Sequence, residues 1–70
     1  MGRIRLRVRE FAQEKGWTLR EVSNRTGVPY TTIATYANSA GMATVDYTAL
    51  DKMARAFDIA IEDLVEILEE

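Results

Sequence analysis

The segment that most constrains the fold runs from Thr18 to Tyr36 and reads TLREVSNRTGVPYTTIATY. It predicts two short helices joined by a tight turn at Gly27-Val28-Pro29, because glycine readily adopts a left-handed conformation and proline is tolerated at a helix start. Its apolar and small residues are spaced so that the two helices pack against each other at a steep angle. These residues are Leu19, Val22, Ser23, Val28, Ile33 and Tyr36. We therefore expect the second helix to project from the surface.

Local signals define where these two helices begin and end. Thr18 is a suitable N-cap residue, and Glu21 follows it at the spacing of a capping box. Gly27 is expected to end the first helix, which covers about 19–26. The second helix should then cover about 30–37.

The amino-terminal residues carry two competing patterns. From Arg3 to Arg9, arginines alternate with apolar residues, which favours a strand. An apolar helical stripe that begins near Val8 competes with it, and we predict a helix over about 5–15 that ends at Gly16. For residues 1–4 an extended conformation stays open as an alternative. A lone strand there would need a partner strand, for example in a dimer.

Two further helices are predicted in the second half of the chain. One covers about 47–57 behind Asp46 as its cap, and its apolar residues recur at the helical period. Those residues are Tyr47, Leu50, Met53, Ala54 and Phe57. The other helix covers about 61–69. Five short helices and no sheet then form a single all-α domain over residues 1–70.

Composition argues against several kinds of site. The chain has no Cys and no His, so the usual zinc ligands and the commonest general base are missing. We expect no enzyme activity, no metal, no cofactor and no small-molecule substrate. No apolar run approaches the ~20 residues of a membrane span, and no signal peptide is visible. A cysteine-free chain is compatible with a reducing cytosol, and we expect a cytoplasmic protein.

The charge of the chain is strongly polarised. Residues 1–25 contain seven Lys or Arg and three acids, which gives +4, whereas residues 26–70 contain two bases and eight acids, which gives −6. A net charge of −2 argues against indiscriminate coating of nucleic acid. A polarised molecule can still present one basic face to phosphates.

Residues of about 6–68 resemble the helix-turn-helix domain of the phage-repressor and Cro-like (XRE-type) family of bacterial regulators. The resemblance rests on a small residue after an apolar one, a turn glycine, a valine and an anchoring isoleucine. Here these are Ser23, Gly27, Val28 and Ile33. The later segment TALDKMARAFDIAIEDL is similar to the family's fourth and fifth helices. This implies a five-helix fold with its motif near 18–37, double-stranded DNA as partner, and transcriptional regulation, most often repression.

Three positions depart from the family pattern. One is Ala37, where the family often has Glu after the last core residue of the second motif helix. The family often has Gln at the start of the first motif helix, where its side chain touches phosphate, and here Leu19 occupies that place. That contact is lost or supplied by a neighbour such as Arg20. A Ser or Thr commonly caps the fifth helix, and here Ala60 stands there, so we expect a frayed helix start.

The outward residues of the second motif helix are the predicted base readers. A helix fits the major groove, and residues near its start reach the base edges. By position these are Tyr30, Thr31, Thr32 and Thr35. None of them is an Arg, Lys, Asn or Gln that makes bidentate base contacts, so we expect modest direct readout with DNA shape adding the rest.

Phosphate contacts are expected from helix N-termini and from nearby polar and basic residues. The predicted phosphate-binding residues are Thr18, Arg20, Arg25, Asn38 and Ser39. A small domain makes few contacts, and operators are usually read by two copies about one helical turn, ~34 Å, apart. We therefore expect a homodimer, with Leu64, Ile67 and Leu68 of the fifth helix as its predicted interface.

A second interpretation of a different class stays open. The same fold can act as a protein-interaction module, such as an antitoxin-like protein or a complex subunit. The weak base-reading chemistry and the acidic second half of the chain favour it. Co-purification of a protein partner without DNA binding would distinguish it from the first.

Overall fold

A computed structural model describes residues 3–39, 41 and 44–68. In chain order its elements are β1 (Arg3–Leu6), α1 (Val8–Lys15), α2 (Leu19–Thr26), α3 (Tyr30–Asn38), α4 (Tyr47–Phe57), α5 (Ile61–Leu64) and β2 (Val65–Leu68). The domain is mostly helical and its five helices were expected. The predicted extended start at Met1 and Gly2, loop residues Ala40, Met42 and Ala43, and the predicted helix end at Glu69 lie outside the described residues.

The two motif helices begin and end where the local signals predicted. The Thr18 hydroxyl accepts a hydrogen bond from the Glu21 N–H at 3.1 Å and caps α2. Gly27 follows α2 in the left-handed conformation at φ 78°, where glycine costs least. The bounds of α2 match the prediction, and α3 extends one residue further, to Asn38. The predicted bounds of α4 are also correct, and the Asp46 carboxylate caps it by accepting from the Thr48 N–H at 3.1 Å.

The first helix begins later than predicted because the chain before it is a strand. The period-2 pattern decides the conformation of Arg3–Leu6, and α1 begins at Val8 instead of near residue 5. Gly16 ends α1 at φ 76°, as expected. The strand partner lies in the same chain.

The fifth helix begins at residue 61 as predicted but is shorter than the predicted 61–69, and the prediction of no sheet was wrong. Helix α5 ends at Leu64 after one turn, and β2 pairs antiparallel with β1 with Leu6 opposite Val65 and Arg3 opposite Leu68. The Arg7 N–H also donates to the Leu64 carbonyl oxygen at 2.9 Å. The apolar residues that suit a helical stripe also suit a strand, and pairing with β1 satisfies backbone groups at both chain ends.

One arginine links this sheet to α1. The Arg5 guanidinium donates to the Glu66 carboxylate at 2.9 Å and to the Glu10 carboxylate at 2.6 Å. The hydrogen bond to Glu10, then the one to Glu66, raises the pKa of Arg5. Desolvation by burial acts to raise the pKa of Glu10, but the Arg5 hydrogen bond and charge, among other contacts, outweigh it and leave that pKa lowered.

A single apolar core joins all the helices to the sheet. Its buried residues are Leu6, Val8, Ala12, Val22, Val28, Ile33, Tyr36, Ala49, Leu50, Met53, Phe57 and Leu64. The Phe57 ring packs near the rings of Phe11 and Trp17, with centroid distances of 5.8 and 5.7 Å. Tyr47 was predicted on the inward face of α4 but is 68% exposed, because Ala49 completes the buried stripe and leaves Tyr47 beyond its edge.

Candidate nucleic-acid interface

The turn between α2 and α3 is held by side chains as well as by its glycine. The Ser23 hydroxyl donates to the Val28 carbonyl oxygen at 2.6 Å. The Thr26 hydroxyl donates to the Val22 carbonyl oxygen at 2.8 Å and accepts from the Val28 N–H at 3.1 Å. Val22 and Val28 are buried in the core. The turn therefore fixes the direction in which α3 leaves α2.

Helix α3 is anchored in the core along one side. Ile33 and Tyr36 are its buried residues, and the Tyr36 hydroxyl accepts from the Asp46 N–H at 3.1 Å, which ties α3 to the cap of α4. On the opposite side Thr31 and Thr35 are exposed. A helix fixed in this way presents its outer face as a rigid surface.

The four predicted base-reading residues lie together on this helix. Tyr30 is its first residue and is 37% exposed. Thr31, Thr32 and Thr35 line one shallow depression, with Thr32 half-buried. The Thr35 hydroxyl donates to the Thr31 carbonyl oxygen at 2.9 Å, so its proton is engaged within the helix. The surface is short, uncharged and rich in methyl groups.

Arg20 and Tyr30 are in direct contact. The guanidinium carbon of Arg20 lies 4.4 Å from the centroid of the Tyr30 ring. This joins one predicted phosphate-binding residue, in the first turn of α2, to one predicted base-reading residue, at the start of α3. The sequence identified both residues but gave no sign that they touch.

Arg25 has contacts that differ from those of Arg20. It also lies over an aromatic ring, 4.4 Å from the centroid of Trp17, but its Nε is 2.7 Å from a carboxylate oxygen of Glu21. Its charge is therefore compensated within α2. Thr18 caps α2 by accepting from the Glu21 N–H, whereas the Glu21 carboxylate is the partner of Arg25.

The carboxyl end of α3 is connected to α1. The Asn38 side-chain oxygen accepts a hydrogen bond from Arg9, and the Ser39 hydroxyl donates to the Gly41 carbonyl oxygen at 3.2 Å. The amide NH₂ group of Asn38 is not used by these bonds. Asn38 and Ser39 were predicted from the sequence to bind phosphate. In the structure both also make hydrogen bonds at the carboxyl end of α3.

The three predicted dimer residues have different environments. Leu64 is fully buried and belongs to the core of its own chain, so its side chain faces inward. Ile67 is 68% exposed in β2, and Leu68 is half-buried. Ile67 is thus the exposed member of the set.

Comparison with known proteins places this arrangement in a family. Residues 7–70 match the Cro/C1-type HTH DNA-binding domain. The chain belongs to this family. The match includes α1 to α5 and β2, and leaves β1 outside it.

Two solved structures have the same fold as this Cro/C1-type domain. SinR, the master regulator for biofilm formation, was solved in complex with DNA; it is 20% identical, with a TM-score of 0.72 over 80% of this chain and 87% of the SinR chain. The transcriptional regulator VanUg is 18% identical, with a TM-score of 0.77 over 99% of this chain and 89% of that chain. No curated protein matches the sequence.

Among the described helices, the Cro/C1-type domain has none that is long and apolar enough to cross a membrane.

Proposed function

We propose that this Cro/C1-type domain is a sequence-specific DNA-binding transcriptional regulator of the bacterial cytoplasm, a repressor that inserts α3 into the major groove as a homodimer. The main support for the proposal is that α3 has an exposed face, while the turn before it and its buried side hold the helix in place. The DNA complex of SinR, which shares the fold, supports it. A domain that occupies its operator blocks transcription by occlusion, which needs binding alone.

Base readout by α3 is proposed to depend on methyl and ring contacts. Thr31, Thr32 and Thr35 are suited to contact thymine methyl groups, and threonine hydroxyls can contact bases of either kind. Tyr30 lies at the start of the helix, the end that approaches base edges in this class of protein. Because these contacts discriminate weakly, sequence-dependent groove shape is proposed to supply part of the specificity.

Phosphate contacts are proposed on both sides of α3. The first N–H groups of α2, after Thr18, lack intrahelical acceptors and favour an anion. Asn38 and Ser39, at the carboxyl end of α3, offer the amide NH₂ group of Asn38 and the hydroxyl oxygen of Ser39. The charge of Arg25 is already compensated by Glu21, so we propose a smaller contribution from it.

The homodimer is proposed to form through the β2 end of the sheet. Ile67 is a large exposed apolar side chain, and each strand of a two-stranded sheet has an edge that can pair with a second copy. A two-fold arrangement would set two α3 helices against half-sites ~34 Å apart.

The decisive experiment is selection from a random DNA pool at two salt concentrations. We expect an enriched motif with two-fold symmetry, and we expect a Tyr30→Ala, Thr35→Ala double variant to change it. Glu62→Ala, an exposed change on α5, serves as the control and should leave the motif unchanged. No enrichment at either salt would contradict the proposal and favour a protein-interaction module.

The dimer is tested separately by sedimentation equilibrium. We expect Ile67→Glu to shift the wild-type dimer to a monomer. Tyr47→Glu is a matched control because Tyr47 is exposed to the same extent, 68%, on another element. A wild-type mass that stays monomeric at all concentrations would rule out the dimer without affecting DNA recognition by one subunit.

A further inference from the structure

Two arginines of α2 lie over aromatic rings, and only one of them has a carboxylate partner in the described part of the chain. Arg25 over Trp17 is paired with Glu21, whereas Arg20 over Tyr30 makes no ion pair with any described residue. The two guanidinium carbons are equally far, 4.4 Å, from their ring centroids. The guanidinium of Arg20 is therefore positioned by the Tyr30 ring, and its charge is not compensated by a described carboxylate.

Contact with the ring leaves the hydrogen-bonding capacity of Arg20 free. A guanidinium is planar, and its N–H donors lie in that plane in a rigid fork. Among the described residues, none accepts a side-chain hydrogen bond from Arg20. The guanidinium is therefore positioned by the ring, and its N–H groups can still donate to two coplanar acceptor atoms.

The contact also brings the guanidinium to α3. Tyr30 is the first residue of α3. Its contact with Arg20 places the guanidinium of this α2 residue near the amino-terminal end of α3, which is the end proposed to approach base edges. Arg20 is also in the first turn of α2, where the N–H groups that follow Thr18 favour an anion. Its contact with Tyr30, at the start of α3, is the observation that favours a base.

We infer that Arg20, positioned by Tyr30, reads a guanine in the major groove beside the bases contacted by Thr31 and Thr35. Arginine bonded to guanine O6 and N7 is the commonest specific base contact, and none of the four predicted base readers of α3 can make a bidentate contact. The inference rests on the proposed function and replaces the expected phosphate role of Arg20. It gives α2 a part in specificity and makes Tyr30 a positioning residue.

The experiment starts from the motif that the wild-type domain enriches. Binding is measured by fluorescence anisotropy on that site, on sites with each guanine replaced, and on sites with 7-deazaguanine, which lacks the N7 acceptor. The variants are Arg20→Ala, Arg20→Lys, Tyr30→Phe and Tyr30→Leu. Arg55→Ala is the cationic control, since Arg55 is exposed on α4 and is paired with Asp51.

We expect one guanine per half-site at which 7-deazaguanine weakens wild-type binding about tenfold. Arg20→Ala should lose that preference and be insensitive to 7-deazaguanine, and Arg20→Lys should keep the charge but lose most of the discrimination. Tyr30→Phe should keep the preference, whereas Tyr30→Leu should lose it in part. Arg55→Ala should bind as the wild type does.

Two results would overturn the inference, and they differ. If Arg20→Ala retains the guanine preference and weakens binding to every sequence alike, with a smaller salt dependence, then Arg20 is a phosphate ligand and the proposed function stands. If the wild type enriches no motif, the proposed function fails and the inference fails with it. Thermal denaturation of each variant confirms that the compared proteins are folded.

Discussion

The Ser23 hydroxyl donates a hydrogen bond to the Val28 carbonyl oxygen at 2.6 Å, across the turn that joins α2 to α3. Val28 is 4% exposed, so its carbonyl lies at the edge of the core with little access to water. The bond explains why a small polar residue suits position 23, since a larger side chain would separate the turn from α2. The direction of α3 depends on this closure.

Ser23→Ala is therefore expected to destabilise the domain by about 1 kcal/mol, because the Val28 carbonyl loses its partner. Urea denaturation measures the change. Asn24→Ala, an exposed neighbour on the same helix, is the control and should change stability by less than about 0.5 kcal/mol. Equal stability of the two variants would show that the bond contributes nothing.

The motif could be predicted from sequence because its determinants are local. Thr18 caps α2, Gly27 has a positive φ, and the bounds of α2 agree with the prediction. Caps and turn glycines act on backbone groups within a few residues, so neighbouring sequence is enough to identify them. The Arg20–Tyr30 contact joins residues on different helices at their surface, and no local pattern encodes it.

The Arg5 bridge predicts a loss of stability in acid. The pKa of Glu10 is lowered from its ordinary value of 4.5 in the folded protein, so its contribution is present above the unfolded pKa and is lost as the pH falls through the folded pKa. Side chains of Arg5 and Glu10 are 34% and 49% exposed, and solvent screening keeps the effect below about 1 kcal/mol.

Glu10→Gln should accordingly be slightly less stable than the wild type at neutral pH and should lose less stability between about pH 5 and pH 3. Thermal melts across this range measure the difference. Glu14→Gln changes an exposed carboxylate of the same helix and should follow the wild-type profile. A Glu10→Gln profile parallel to that of the wild type would contradict the role of the bridge.

Leu64 and Ile67, which sequence alone assigned to one interface, should respond differently to truncation. Leu64→Ala creates a cavity in the core and is expected to cost about 3 kcal/mol of unfolding free energy. Ile67→Ala changes an exposed side chain and should cost less than about 0.5 kcal/mol in the monomer, while weakening the proposed dimer. Measurements at low protein concentration separate folding from association, and comparable losses for both variants would contradict the assignment.

The same pair shows why the sheet was missed from sequence. Val65–Leu68 has apolar residues that fit a helical face, and its strand partner Arg3–Leu6 lies at the other end of the chain. The alternation in the first strand was visible, but a strand is stabilised by a partner whose distance in sequence has no local signature. Pairing between the chain ends therefore overrode a helical pattern that was equally plausible by periodicity.

The hydrogen bond from the Thr35 hydroxyl to the Thr31 carbonyl oxygen, 2.9 Å long, predicts which part of Thr35 reads DNA. With its proton engaged in the helix, Thr35 offers a base its methyl group and an oxygen lone pair. Thr35→Val keeps a branched methyl surface and should retain the preferred base to within about threefold in affinity, whereas Thr35→Ser should lose preference for thymine over uracil. Anisotropy titrations with thymine and uracil versions of the selected site measure both effects. If Thr35→Val loses the preference for its base, the hydroxyl and not the methyl group reads DNA. Thr48→Val, in the first turn of α4, is the control for replacing an exposed threonine by valine.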